Sequence, residues 1–247
     1  MDIDDRMKDY YENRTRIFLP RRTYIIIRVD GKAFHTYTKG LKNPFDDEFM
    51  DDMDNTAAYM CKNIMGAKFA FIQSDEISIL LTDFEEIATQ GWFDNNLQKM
   101  CSVSASMATL SFNKLRVSRS NNYSVPWAEF DSRVFQIPQK SEVENYFIWR
   151  QQDTVRNSIQ SVAYSLYSHK ELQGKKTNDM QEMIFQKGIN WNNYASKYKR
   201  GRMVVKEIYN ITTPSSVSIR TKWVTVEVPV FTQVRDFLSN KIPGGER

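Results

Sequence analysis

Residues 23–29, Thr-Tyr-Ile-Ile-Ile-Arg-Val, form an almost unbroken apolar, β-branched run, which predicts a strand buried on both faces. Asp30-Gly31 ends it. Upstream, residues 1–20 read as a polar helix stopping before Pro20. Residues 32–45 read as a loop punctuated by Gly40 and Asn43-Pro44. A helix is expected over 46–65 with Gly66 as its C-cap. The acids at its start (Asp46, Asp47, Glu48, Asp51, Asp52, Asp54) fit the helix dipole and a solvated face. Strands over 68–73 and 77–82 flank Ser74-Asp75-Glu76 and predict a hairpin. Helices follow over 94–115 and 142–167, with a short strand over 133–137 between them. After Gly174 the periodicity weakens. Strands over 202–209 and 216–228, a short helix near 231–239 and a fraying tail at 243–247 complete the prediction.

The order strand, helix, hairpin suggests a right-handed crossover that returns the 68–73 strand beside the first one. Asp30 and Asp75 would then face one another. Two carboxylates at that spacing repel, which raises their pKa values unless a cation is bound. Two carboxylates plus a backbone carbonyl suffice for magnesium, which keeps several waters, and Gly31 offers the carbonyl. Each string alone is more simply a turn; the pair is what points to a metal. Glu76 ranks below Asp75, because neighbours around a tight turn can point to opposite faces. Lys32 could meet a triphosphate, and Phe34 or His35 could stack on a base, against the plainer reading of surface lysine, core phenylalanine and capping histidine.

Composition narrows the field. The chain has 247 residues, 41% of them apolar and 26% charged, enough for one large domain or a domain with an appendage. Pro138 marks a possible boundary between a core at 1–138 and an extension at 139–247. The net charge of +4 permits a polyanionic partner. Arginines and lysines gather at Lys114, Arg116 and Arg119, at Arg150 beside Trp149, and at Lys197, Lys199, Arg200 and Arg202, where tyrosines interleave. The last cluster is the best candidate for an RNA backbone. Two cysteines, Cys61 and Cys101, and two histidines, His35 and His169, make a zinc site unlikely by spacing. The charged N-terminus is no signal peptide, and no apolar run is long enough to cross a bilayer, so a cytoplasmic protein without a membrane partner is expected. Glycine-rich phosphate loops, G-x-S-x-G and HExxH are missing from the sequence.

Residues 28–35 (Arg-Val-Asp-Gly-Lys-Ala-Phe-His) and 73–78 (Gln-Ser-Asp-Glu-Ile-Ser) resemble the two signature strings of the tRNA-histidine guanylyltransferase family. Similar stretches follow in family order: Lys42-Asn43-Pro44, Trp92-Phe93 with Lys99, residues 130–134, residues 149–153, residues 172–174 and residues 198–201. The resemblance spans roughly residues 5–210. It implies an α+β, palm-like (ferredoxin-like) antiparallel or mixed sheet with helices packed on it, plus a helical and β C-terminal extension. It also implies reverse nucleotide addition to the 5′ end of tRNA. The 5′-monophosphate is activated with a nucleoside triphosphate, then attacked by the 3′-hydroxyl of an incoming nucleotide. Two Mg2+ ions serve these steps, ATP and GTP are substrates, and members are homodimers or homotetramers.

By position, the resemblance makes Asp30, Gly31 and Asp75 metal ligands, with Asp30 and Asp75 catalytic. Lys32, Ala33, Phe34, His35 and Glu76 would lie along the nucleotide. Lys42, Ser74 and Lys99 would contact phosphates, and Arg150, Asp153 and Asn157 would join the basic cluster on RNA. Eukaryotic members carry His-Ile-Asn-Asn-Leu-Tyr-Asn after the Arg-Gln-x-Asp element, whereas here Asp153 is followed by Thr154-Val155-Arg156-Asn157. The sequence therefore looks more like the guanylyltransferase-like branch that repairs 5′-truncated tRNAs. Rival readings are addition of a single G to tRNA-histidine, a palm-domain nucleotide cyclase, and a non-catalytic RNA-binding module.

Overall fold

The structure, a computed structural model, describes residues 1–120, 126–213 and 216–244; the end of the expected frayed tail lies outside them. Its centre is one antiparallel sheet of six strands: β1 (Tyr24–Gly31), β2 (Ala67–Gln73), β3 (Glu76–Leu81), β4 (Phe130–Ile137), β5 (Arg202–Thr213) and β6 (Ser216–Glu227), in the order β4-β1-β3-β2-β5-β6. Among the described residues the helices are α1 (Ile3–Tyr10), α2 (Phe34–Tyr37), α3 (Asp47–Asn63), α4 (Leu97–Ser120), α5 (Lys140–Leu166), α6 (His169–Leu172), α7 (Thr177–Gln186), α8 (Ser196–Arg200) and α9 (Arg235–Ser239).

The sheet alternates its side chains between two cores, as a pleated strand must. Ile25, Ile27 and Val29 of β1 face α3 and α4, packing with Met53, Met60 and Phe112. Tyr24 and Ile26 face α5, with Phe69, Phe71 and Phe147. A satellite cluster of Ile159, Val162, Leu172, Met180 and Ile184 joins the second half of α5 to α6 and α7. Past residue 205, where pairing to β2 ends, β5 and β6 pair only with each other. At the entry to β5, Gly201 has φ +79°, and a Cβ there would lie 2.6 Å from the Phe71 ring and 2.8 Å from the Ile72 carbonyl oxygen. Only glycine fits that junction without moving the core.

The strand order corrects one expectation. The 68–73 strand does not return beside β1; β3 lies between them, antiparallel to both. The physical reason is burial: every residue of β3 is buried, so β3 needs a partner along each edge. The change improves the site, because it sets the Ser74-Asp75 turn directly beside the end of β1. Two acids of α3 also differ from the solvated face expected of them. Asp52 is wholly buried on Arg116 and Arg119, and Asp54 is half-buried on Arg202. Segments 32–45 and 168–186, without assigned helices in the sequence reading, contain α2, α6 and α7.

Candidate active site

Asp30 and Glu76 are direct cross-strand partners, and Gln73 is the partner of Glu76 on β2. Directly opposed residues share a face, so Asp30, Glu76 and Gln73 form a polar row at the end of the sheet, on the side covered by α5. The turn from β2 to β3 has only two residues, Ser74 and Asp75, and Ser74 takes φ +45°. A left-handed serine is strained, and such strain persists where the surroundings hold it. The Gly31 N–H donates to the Asp75 carbonyl oxygen at 3.2 Å, tying the end of β1 to this turn.

Arg28, Asp30, Ser74, Asp75, Glu76, Trp149, Arg150, Asp153 and Arg156 line one cleft of about 430 Å³. Its charges sort themselves. Arg150 donates from Nε and Nη2 to the two Glu76 oxygens, each at 2.9 Å, and from Nη2 to Asp153 at 2.6 Å. Arg156 also holds Asp153. Asp75 and Arg28 remain, with Asp30, which meets Arg133 only at 3.8 Å. Burial, chiefly, and the neighbouring Asp30 charge push the Asp75 carboxyl up to about 6. Arg28 points into the same cleft with a buried Nε that has no hydrogen-bond partner. A desolvated carboxylate beside a second one, both hard oxygen donors, fits a divalent cation; an unpaired guanidinium beside them fits phosphate. Among the described residues no group of three or more His, Cys, Asp or Glu gathers that could hold a metal ion.

A second cavity of about 540 Å³ adjoins the cleft, and Gln73, Ser74 and Asn157 line both. His35, Lys42, Pro44, Phe45, Tyr198 and a run of small hydroxyl side chains on α5 (Thr154, Ser158, Ser161, Ser165) form its wall. Aromatic and hydroxyl groups around one cavity suit a nucleoside.

Not every expected residue can act through its side chain. Phe34 is buried against Tyr37, Phe49, Phe112 and Phe130, so it cannot stack on a base. Lys32 is exposed and paired with Glu129, and Ala33 has φ +56° on the surface at the start of α2. Glu76 and Arg150 are spent on each other inside the protein, which removes Arg150 from any RNA surface; Asp153 accepts from arginines. Lys99 lines neither cavity and lies 6.0 Å from the Phe93 ring centre. In the basic cluster, Lys199 and Arg202 are buried, and Lys197 donates to Asp47 at 2.6 Å. Arg200 remains partly exposed. Arg28, Arg133 and Trp149 went unassigned from sequence. Arg28 carried a signal: it interrupts an apolar strand two residues before Asp30, hence on the same face. Arg133 approaches Asp30 at 3.8 Å from β4.

Gly31 offers a direct check on this geometry. A Cβ at position 31 would sit 2.2 Å from the Phe34 ring. Gly31→Ala is therefore expected to cost about 1–3 kcal/mol in urea unfolding and to displace the carbonyl beside Asp30.

A profile of the tRNAHis guanylyltransferase family matches residues 4–138. The chain belongs to the tRNAHis guanylyltransferase family. Like the family's guanylyltransferases, it is a nucleotidyltransferase. Among similar proteins, a probable tRNA(His) guanylyltransferase of Dictyostelium discoideum is 27% identical over 203 residues, covering 76% of this chain and 77% of that one. The tRNA(His) guanylyltransferase of Saccharomyces cerevisiae is 26% identical over 219 residues, covering 77% and 85%. Among solved structures, a bacterial tRNA(His) guanylyltransferase-like protein in complex with ATP superposes with TM-score 0.86 at 44% identity, covering 97% of this chain and 99% of that one. The Saccharomyces cerevisiae enzyme superposes with TM-score 0.67 at 27% identity, covering 80% and 93%. The mixed α and β architecture expected from the sequence is the one observed, and no described helix is long and apolar enough to cross a membrane.

Proposed function

We propose that this member of the family joins a guanosine nucleotide to the 5′ end of a tRNA, the reaction that its curated relatives are named for. The observation that carries the proposal is the Gly31 to Asp75 tie, which places two carboxylates beside the unpaired Arg28. Asp30, Asp75 and the Gly31 carbonyl are the groups that would hold Mg2+. When bound, magnesium would neutralise crowded phosphates and stabilise charge developing on the transferred phosphorus. Arg28 and Ser74 contact phosphate oxygens, and the larger cavity takes the incoming nucleoside, with Lys42 and His35 on its wall. The 3′-oxygen of that nucleotide bonds to the activated 5′-phosphorus of the RNA as the activating nucleotide departs. ATP and GTP as substrates are supported by the bacterial guanylyltransferase-like proteins, solved in complex with ATP and with GTP, at 44% and 42% identity.

Repair of 5′-truncated tRNA is the second reading. The Thr154 to Asn157 departure favours it, and so does the similarity to a guanylyltransferase-like protein; the names of the curated relatives favour single-G addition. Wild-type protein given ATP, GTP and a 5′-monophosphorylated acceptor separates the two. Growth of full-length tRNA-histidine by one G supports the first. Template-matched completion of a tRNA lacking its first nucleotide, without growth of the full-length RNA, supports the second. Silence on both from folded protein overturns both.

Contact with the RNA backbone falls to Arg200 rather than to its buried neighbours. Arg200→Gln is expected to weaken tRNA binding about equally for all sequences and to reduce the salt slope of log Kd by about one. A binding titration at several salt concentrations checks this.

A further inference from the structure

Trp149 is half exposed, at 50%, on α5 next to the buried Arg150 and away from the face that packs against the sheet. The fold does not need that surface, yet the indole is held firmly. The Arg150 guanidinium carbon lies 4.2 Å from its ring centre, and the Tyr146 ring meets it edge-on at 5.9 Å. Arg150 is in turn fixed by Glu76 and Asp153. An amphipathic ring restrained by a cation on one face, and wet elsewhere, is suited to stacking.

Its position gives that surface a use. Among the described residues, Trp149 is the one aromatic residue lining the carboxylate cleft, alongside Arg28, Asp30 and Asp75. It does not line the nucleoside cavity, which meets the cleft at Asn157 and continues along α5 to Ser165. Trp149 lies two turns before Asn157 on α5, about 12 Å back along the axis. Joining two nucleotides requires a second base near the same carboxylates: that of the RNA terminus, which stays bonded to the phosphorus, or that of the departing nucleotide, which in-line attack places away from the incoming nucleoside.

We propose that Trp149 is the stacking platform for the second nucleobase of the reaction. This rests on the transfer reading above and adds a positioning residue to it. Two nucleotides can supply the base: the 5′-terminal nucleotide of the RNA, or the activating nucleotide that leaves.

The test is binding, so it stands apart from turnover. Five tryptophans contribute to fluorescence, and the difference between wild type and Trp149→Phe isolates one of them. The ligands are ATP, 5′-monophosphorylated tRNA and inorganic tripolyphosphate. Quenching of the Trp149 component by ATP assigns the platform to the activating nucleotide; quenching by the RNA alone assigns it to the RNA terminus. Trp149→Leu, which keeps an apolar contact under Arg150, should weaken that same ligand about tenfold, and Trp149→Phe should largely restore it. Equal quenching by tripolyphosphate, or wild-type affinity for both nucleotide ligands in Trp149→Leu, overturns the proposal. Base-dependent quenching in a protein that transfers no nucleotide would keep the platform and discard the transfer reading.

Discussion

Asp75→Asn is expected to abolish nucleotidyl transfer, by about a thousandfold or more, while making the metal-free protein more stable at neutral pH. The two effects share a cause. The folded protein pushes the Asp75 carboxyl up to about 6 from an ordinary 3.8, chiefly by burial and then by the charge on Asp30. A carboxyl that holds its proton more tightly when folded stabilises the fold below about pH 4, and that contribution is lost as pH rises toward 6. At pH 7.5 the ionised group opposes folding by something on the order of 2 kcal/mol. Asparagine removes the charge and with it the penalty. Thermal melts in chelator should show Asp75→Asn above wild type at pH 7.5 and level with it near pH 4. Adding magnesium should raise the wild-type melting temperature and leave the variant unmoved, because the cation binds only where the charge remains. A variant less stable than wild type at pH 7.5, or one equally stabilised by magnesium, would count against the site.

Arg150→Ala should be the most damaging single change to stability, at about 3–5 kcal/mol in denaturant titrations. Arg150 satisfies both Glu76 oxygens and one of Asp153, and all three residues are largely enclosed. Removing it leaves Glu76 charged inside the protein beside Ser78 and Tyr146. The Tyr146 hydroxyl, pushed up to about 12 chiefly by burial, stays neutral and has no positive charge to offer that carboxylate. Arg150→Met combined with Glu76→Gln should cost clearly less than Arg150→Ala. If the single change costs under 1 kcal/mol, the pair is not the keystone between α5 and the sheet.

These two residues show what the sequence made legible and what it did not. The Asp30 and Asp75 strings stand out because each acid interrupts apolar strand text at a turn, a local signal. The hairpin was readable for the same reason. Strand order was not, because β1, β2 and β3 are all apolar and nothing local says which edges meet; full burial of β3 decides it. The basic residues at 197–202 look like a surface patch in sequence. Their partners Asp47 and Asp54 lie about 150 positions away, so the pairing that draws Arg202 inward is invisible until the fold closes. The α7 segment escaped notice because it buries only Met180 and Ile184, against α5 rather than the main core. Arg150 was legible as a cation and illegible as a buried one, since its acid lies 74 residues away on β3.

On the proposed function, the cleft holding Asp30 and Asp75 performs the transfer. The most direct measurement follows label from α-phosphate-labelled GTP into a 5′-monophosphorylated tRNA-histidine, with ATP and magnesium, for wild type beside Asp30→Ala of matched secondary structure. Label at the RNA 5′ end with wild type, and a rate at least a thousandfold lower with Asp30→Ala, is the predicted result. Transfer by Asp30→Ala at a rate near that of wild type would contradict the account and move the chemistry out of this cleft.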